Sequence, residues 1–182
     1  MSEIKPTAKV KLIGSIFSPE DNVIMEAIKD LESYFGAIDW SSEKLIFDRT
    51  QYYKKEMGWP LFRRFISFSR LIPPEYIVDA KLITNQIECT FISGNNRKVN
   101  IDPGYVSLER LVLATGKNYT HRIYLKDGIY ADLTLVFHAG SFRILDWTYP
   151  DYADEKVIEC FNGIREDYLQ HLRGKKKRKG KI

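Results

Sequence analysis

Apolar residues at Val23, Ile24, Ala27, Ile28, Leu31 and Phe35 fall on one helical face, and Gly36 supplies a stop. Ser18 predicts the cap of this helix, Pro19 sits where a first-turn proline loses no hydrogen bond, and Asp21 complements the positive helix end. Lys9–Ile13 ahead of it predicts a strand, and Ile38–Arg49 behind it predicts two short strands around Ser41-Ser42. The resulting βαββ opening is of the ferredoxin-like kind. Leu61–Ile72 alternates apolar and polar residues as a strand with one buried face and ends at Pro73-Pro74. Ile77, Ala80, Thr84, Ile87 and Phe91 then predict an amphipathic helix running to about Ile92 and stopping at Gly94. Val157, Phe161, Ile164, Tyr168 and Leu172 predict a last helix, capped by Asp154, that returns to cover the sheet.

Between these helices the period changes from helical to two. Asp127-Gly128 and Ala139-Gly140 separate alternating runs and predict successive hairpins. Ile129, Ala131, Leu133, Leu135 and Phe137 form one face of the longest strand, while Tyr130, Asp132, Thr134 and His138 form the other. A three-residue loop at Lys126–Gly128 sets His121, Ile123 and Leu125 on the apolar face and places Arg122 and Tyr124 beside Asp132 and Tyr130. A two-residue Ala139-Gly140 loop sets Phe142 beside Phe137 and Ile144 beside Leu135. Arg143, Leu145 and Trp147 are then expected on the face of Asp132. The fold class is therefore α+β: one domain over residues 1–172, with a βαββ ferredoxin-like opening, an antiparallel β-meander and about three helices packed on the sheet.

Charge changes this picture at one end only. The chain of 182 residues has a net charge of +4, but residues 173–182 carry seven cations and no acid, which leaves the body at −3. The basic run has nothing to bury and is expected to be a disordered tail, and deletion after Arg173 is expected to leave the melting temperature nearly unchanged. Residues 1–11 hold no apolar segment of the secretory type and no run of about eighteen apolar residues occurs, so a cytoplasmic location is expected. Cys89 and Cys160 lack metal-ligand spacing and read as small buried apolar groups.

The candidate chemistry gathers on the sheet face of Asp132. Asp132, Asp102 and His121 are the candidate catalytic groups, and Asp102, Asp132, Asp146 and Asp151 offer hard oxygen ligands for a divalent metal. Arg122, Lys117 and His121 suit an anion, with Tyr124, Tyr130, Trp147, Asp151, Tyr53 and Glu56 as further ligand contacts. A turn role competes at Asp102, before Pro-Gly, and at Asp151, after Tyr-Pro. The segment Thr50–Pro60, rich in Tyr and charge, reads as a docked loop or the wall of a pocket. The function these residues support is binding of a small anionic, nucleotide- or phosphate-like ligand, with or without a divalent metal. Two alternatives are an RNA- or ribosome-associated module that grips through residues 173–182 and a protein-interaction module using the sheet edge or the aromatic loop.

Thr50–Gly58, Asn100-Ile101-Asp102-Pro103-Gly104-Tyr105, His121–Leu125, Gly128–Asp132 and Trp147-Thr148-Tyr149-Pro150-Asp151-Tyr152 together resemble the bacterial and archaeal family of unknown function DUF4416. The resemblance covers nearly the whole chain except the tail. It implies no reaction and no catalytic roles, although members of that family are sometimes labelled GTP-binding. A P-loop requires GxxxxGK followed by Ser or Thr. Gly116-Lys117 is followed by Asn118 and lacks the upstream glycine, so the motifs do not support a P-loop GTPase.

Overall fold

The computed structural model describes residues 3–174. β1 (Val10–Ser18) leads into α1 (Asp21–Phe35), followed by β2 (Ile38–Ser41), β3 (Leu45–Phe47), the short helix α2 (Lys54–Met57) and β4 (Leu61–Ile72). One tight turn at Pro74–Tyr76 opens α3 (Ile77–Thr90), and a small hairpin of β5 (Ile92–Ser93) and β6 (Asn96–Arg97) follows it. The chain then runs through β7 (Asn100–Val106), β8 (Arg110–Thr115), β9 (Arg122–Lys126), β10 (Ile129–His138) and β11 (Ser141–Ile144) to α4 (Glu155–Leu172). Arg173 and Gly174 close α4 with backbone bonds to Leu169 and His171. The rest of the basic tail lies outside the described residues.

The fold is α+β, with one large antiparallel sheet in the order β11-β10-β8-β7-β1-β4-β2, β3 added to β4 and β9 added to β10. β1 lies between β7 and β4, and β4 separates β1 from β2, so β1, α1, β2 and β4 form a split unit. From β7 onward β8, β10 and β11 pair in sequence, which is the expected meander. α1 and α3 bury Ile24, Leu31, Ile77 and Ile87 against Leu12, Ile16, Ile66 and Ile101 on one face. α4 buries Val157, Phe161 and Ile164 against Ile13, Phe65, Leu111, Leu113 and Leu135 on the other. Each such side chain contributes about 1.5–3 kcal/mol, so the sheet is held from both sides.

That double cover explains the first departures from the sequence reading. β1 has nine residues and runs well past Ile13 because every position of a central strand is buried, so Gly14 and Ser15 continue it although they interrupt the apolar run. Ser18 consequently ends β1 and does not cap α1. Glu20 is the N-cap residue, while Ser18 Oγ accepts the Glu20 N–H at 3.1 Å and donates to the Lys98 carbonyl at 2.6 Å. α3 stops at Thr90, and Gly94, with φ +62°, turns the β5–β6 hairpin. Cys89 is exposed on the solvent side of α3, not buried, and Cys160 is half-buried.

The second departure is a change of face within β10. Asp132 pairs with Leu113 and Leu135 pairs with Leu111, two positions on one side of β8, because Thr134 is an extra residue in a bulge. The strand therefore switches alternation at Thr134. Ile129 packs under α3 with Ala114, whereas Leu135 packs under α4. The expected pairs Leu135–Ile144 and Phe137–Phe142 form, but Arg143, opposite Val136, is displaced from the face of Asp132 by the bulge. In the first hairpin the loop is the two residues Asp127-Gly128, both at positive φ, and a second irregularity beside Ile129 restores the expected Tyr124–Tyr130 and Arg122–Asp132 pairs.

Candidate functional site

The sheet is capped at one end by two segments without long helices. The stretch 50–58 is pinned where Tyr53 packs on Phe17 and Phe47, ring centroids 4.8 and 6.4 Å away, and where Met57 joins Leu61 in the same cluster. The turn 147–152 is held by Trp147 Nε1 donating to the Leu133 carbonyl at 2.7 Å and by Thr148 Oγ1 donating to the Thr134 carbonyl at 2.6 Å. The bulge at Thr134 is what turns that carbonyl toward Thr148. Between the two segments and the ends of β1, β4, β7, β8 and β10 lies a cavity of about 580 Å³. Its walls bring together the rings of Phe17, Phe47, Tyr52, Tyr53, Tyr149 and Tyr152, and the charged side chains of both signs described below.

One wall is a chain of hydrogen bonds that begins in the 50–58 segment. Arg97 bonds Glu56 through its Nε and Nη2 edge at 2.6 and 3.0 Å, and its Nη1 reaches Glu88 at 2.8 Å and Asn100 Oδ1 at 3.2 Å. Asn100 Nδ2 passes the network to Asp102 at 2.8 Å, and Lys81 Nζ completes it with Asp102 at 3.4 Å and the Ile101 carbonyl at 2.9 Å. The hydrogen bonds from Arg97 hold the Glu56 carboxyl below its usual range, and burial pushes the Glu88 carboxyl up. Asp102 is thus no turn residue. It stands mid-strand in β7, where Pro103 tolerates its place and Gly104 lets β8 approach closely: a Cβ there would meet the Val112 carbonyl at 2.6 Å.

A second wall rests on Asp132, which is 2% exposed. Its Oδ2 accepts Arg122 Nε at 2.9 Å and faces His121 Nε2 at 3.3 Å. The guanidinium spreads its bonds three ways, since Arg122 Nη1 donates to the Lys117 carbonyl at 2.9 Å and Nη2 to the Tyr149 hydroxyl. Asp132 therefore fixes two cavity-lining residues, Lys117 and Tyr149, through one guanidinium. His121, expected on the apolar face, turns instead toward Asp132 because it precedes β9 and stacks on Trp147 at 5.1 Å.

The third wall is the least expected. Arg63 points inward from β4 and is only 5% exposed, with its guanidinium 4.0 Å from the Phe47 ring centroid and within 6 Å of Phe17, Phe65 and Tyr152. Its Nη1 pairs with Asp151, so that aspartate closes a turn and an ion pair at once. Arg63 Nε is buried with no hydrogen-bond partner, and the buried hydroxyls of Ser15 and Tyr152 face each other. An unpaired group of the first kind costs about 1–3 kcal/mol. Burial, followed by the charge of Asp102, raises the Tyr53 hydroxyl to about 12, and burial likewise raises Tyr149 and Tyr152. At neutral pH these phenols stay protonated and act as donors, not bases.

Of the residues singled out by sequence, Asp102, Asp132, Lys117, Asp151 and Tyr53 line the cavity, and Glu56 and Arg122 brace it. His121 and Trp147 stack behind Asp132, while Tyr124, paired edge-on with Tyr130 at 5.3 Å, is exposed on β9 away from the cavity lining. Among the described residues no three His, Cys, Asp or Glu side chains are grouped to hold a metal ion. The carboxylates of Asp102, Asp132 and Asp151 each face a cation instead. Sequence reasoning missed Arg63, Lys81, Glu88 and Arg97. The signal for three of them was present: Arg63 occupies an inward position of β4, and Lys81 and Glu88 stand on the apolar stripe of α3.

No helix among the described residues is long and apolar enough to cross a membrane. No curated protein and no solved structure matches the chain. The family model described as domain of unknown function DUF4416 matches residues 8–168, and the chain belongs to that family.

Proposed function

We propose that the protein binds a small anionic ligand carrying a planar ring, nucleotide- or phosphate-like, in the cavity between the 50–58 segment and the 147–152 turn. The observation that carries this reading is the joining of aromatic rings and cations in one space of about 580 Å³, a volume typical of small-molecule sites. Tyr52, Tyr53 and Tyr149 offer ring faces and protonated hydroxyls. Lys117 stands exposed at the mouth, its ammonium 4.9 Å from the Tyr52 ring centroid. Arg49, also in the wall, is tied to Asp154 in a half-exposed pair that a ligand anion can exchange at little cost. The inner carboxylates, already matched to Lys81, Arg63 and Arg122, orient these cations and leave hydrogen-bonding capacity for polar groups on the ring.

Isothermal titration calorimetry of the full chain with adenosine 5′-monophosphate and adenosine, and with nicotinate and nicotinamide, tests this. At least one acid should bind about ten-fold more tightly than its neutral counterpart, with the margin shrinking as salt is added. Asn85→Trp, which puts an indole into the cavity from the exposed side of α3, should abolish that binding with the fold intact. Equal affinity for acids and neutral counterparts, or acid binding that survives Asn85→Trp, overturns the proposal.

A further inference from the structure

Four carboxylates line the cavity, those of Glu88, Asp102, Asp132 and Asp151, and they differ in how much of each is left for a ligand. The side chains of Glu88, Asp132 and Asp151 are 6%, 3% and 13% exposed, and each is held against an arginine. The Asp102 side chain is 34% exposed. Its neighbours also claim less of it. Asn100 Nδ2 donates to Oδ2 at 2.8 Å, whereas Lys81 Nζ, closer to the Ile101 carbonyl at 2.9 Å, stands 3.4 Å from Oδ1. A carboxylate accepts at about four lone-pair sites, so about two of them remain open at Asp102.

What can meet those sites follows from the surroundings. The Lys81 side chain, 9% exposed, already offsets the charge of Asp102. A second cation therefore gains little there, while a neutral N–H donor fills the open lone pairs without burying a new charge. Burial, and next the charge of Asp102, raise the Tyr53 hydroxyl to about 12, so the aspartate lies within electrostatic reach of a ring that the 50–58 segment presents to the cavity. Asp102 belongs to the sheet floor, in β7 opposite Ser15 of β1, and Lys117 stands exposed at the mouth. A ring lying against Tyr53 with its acid toward Lys117 turns its far edge to that floor. The amino group of a heterocycle is the N–H donor that a carboxylate accepts from such an edge.

We propose that Asp102 reads an amino group on the ring of the ligand, so that the ligand class is an amino-substituted heterocycle bearing an acid, of which an adenine nucleotide is one case. This rests on the reading of the cavity as the site of an anionic ring and adds the residue that selects among such ligands. Lys117 draws the acid in, the tyrosines take the ring faces, and Asp102 sorts the far edge. A ring with hydrogen at that position leaves Asp102 desolvated and unpaired, and one with a carbonyl sets a second acceptor against it, so both bind more weakly.

The test titrates the full chain, by calorimetry, with two pairs of acids that differ only in the amino group: adenosine 5′-monophosphate against purine riboside 5′-monophosphate, and 6-aminonicotinate against nicotinate. In at least one pair the amino member should bind about ten-fold more tightly. Asp102→Asn puts an amide nitrogen in place of one oxygen, and its remaining oxygen is claimed by Lys81 and Asn100. That variant should bring the preference below about two-fold and leave the affinity for the other member within about three-fold of the parent. In the parent chain the Asp102 side-chain carboxyl carbon-13 resonance should move more with the amino member than with its counterpart, and this reading decides the matter if Asp102→Asn does not fold. Equal affinity within both pairs overturns this proposal and leaves the cavity reading standing. A preference that survives Asp102→Asn, or an Asp102 resonance that stays still, places the amino group elsewhere and overturns it too. Failure of all four acids to bind overturns the two readings together.

Discussion

Replacing Asp132 by Asn keeps the size of the side chain and removes its charge, which isolates what the carboxylate does for Arg122. Both side chains are nearly sealed from solvent, with Asp132 Oδ2 receiving Arg122 Nε at 2.9 Å. Breaking a buried pair by removing one partner costs about 3–5 kcal/mol, against under about 1 kcal/mol for an exposed pair. Arg122 keeps two other acceptors, the Lys117 carbonyl and the Tyr149 hydroxyl, so the loss belongs near the lower limit, at about 3 kcal/mol. For a chain of this size that corresponds to a fall of roughly 6–12 °C in melting temperature. Urea unfolding of parent and Asp132→Asn, with the slope unchanged and the midpoint lowered, gives the number directly. The variant should also bind the acid more weakly in the cavity, because the Tyr149 ring is positioned through Arg122. A destabilisation under about 1 kcal/mol would show that the pair behaves as a solvated one, and would refute the argument that it fixes the wall.

Gly104→Ala should destabilise by more than about 3 kcal/mol in the same assay, because its Cβ meets the Val112 carbonyl at 2.6 Å and Leu113 Cδ2 at 2.7 Å and the backbone contact has no flexible end to yield. Asp39→Ala, which removes a carboxylate paired with the buried Lys11 ammonium and an acceptor of Ser67 at 2.7 Å, should cost more than about 1 kcal/mol, and a loss below that would contradict it. Glu56, lowered by its hydrogen bonds from Arg97, contributes stability that is complete above its unfolded pKa of about 4.3 and is lost as the pH falls through the lower folded value. Amide exchange in residues 50–58 should accordingly speed up, relative to the sheet, below about pH 4, and Glu56→Gln should remove that dependence.

The elements with a strong single period were legible from the sequence. α1 and α4 follow their apolar stripes, and the Arg122–Asp132 register follows from alternation on either side of Asp127-Gly128. Two kinds of feature were not. A bulge such as the one at Thr134 adds a residue without changing composition, so alternation read through it assigns Leu135 and Phe137 to the wrong face. The Asn100–Tyr105 motif reads as a turn because Pro and Gly dominate local preference, whereas pairing with β1 and β8 holds it extended, with Gly104 chosen for close approach. The site was half visible for the same reason. Asp132 and Arg122 are one step apart in a predicted hairpin, but Arg63, Arg97 and Lys81 come from distant segments that only the closed sheet brings together.

The central claim is that the cavity takes an anion bearing a ring, and mapping the site of binding tests it most directly. In a titration of the nitrogen-15-labelled chain with adenosine 5′-monophosphate or nicotinate, the largest backbone shifts should fall on Thr50, Tyr53, Asn85, Thr115, Lys117 and Tyr152, which line the cavity. Adenosine or nicotinamide at equal concentration should leave smaller shifts at the same places. Shifts centred on the exposed β9 residues Ile123 and Tyr124, or no shifts at all, would contradict the account.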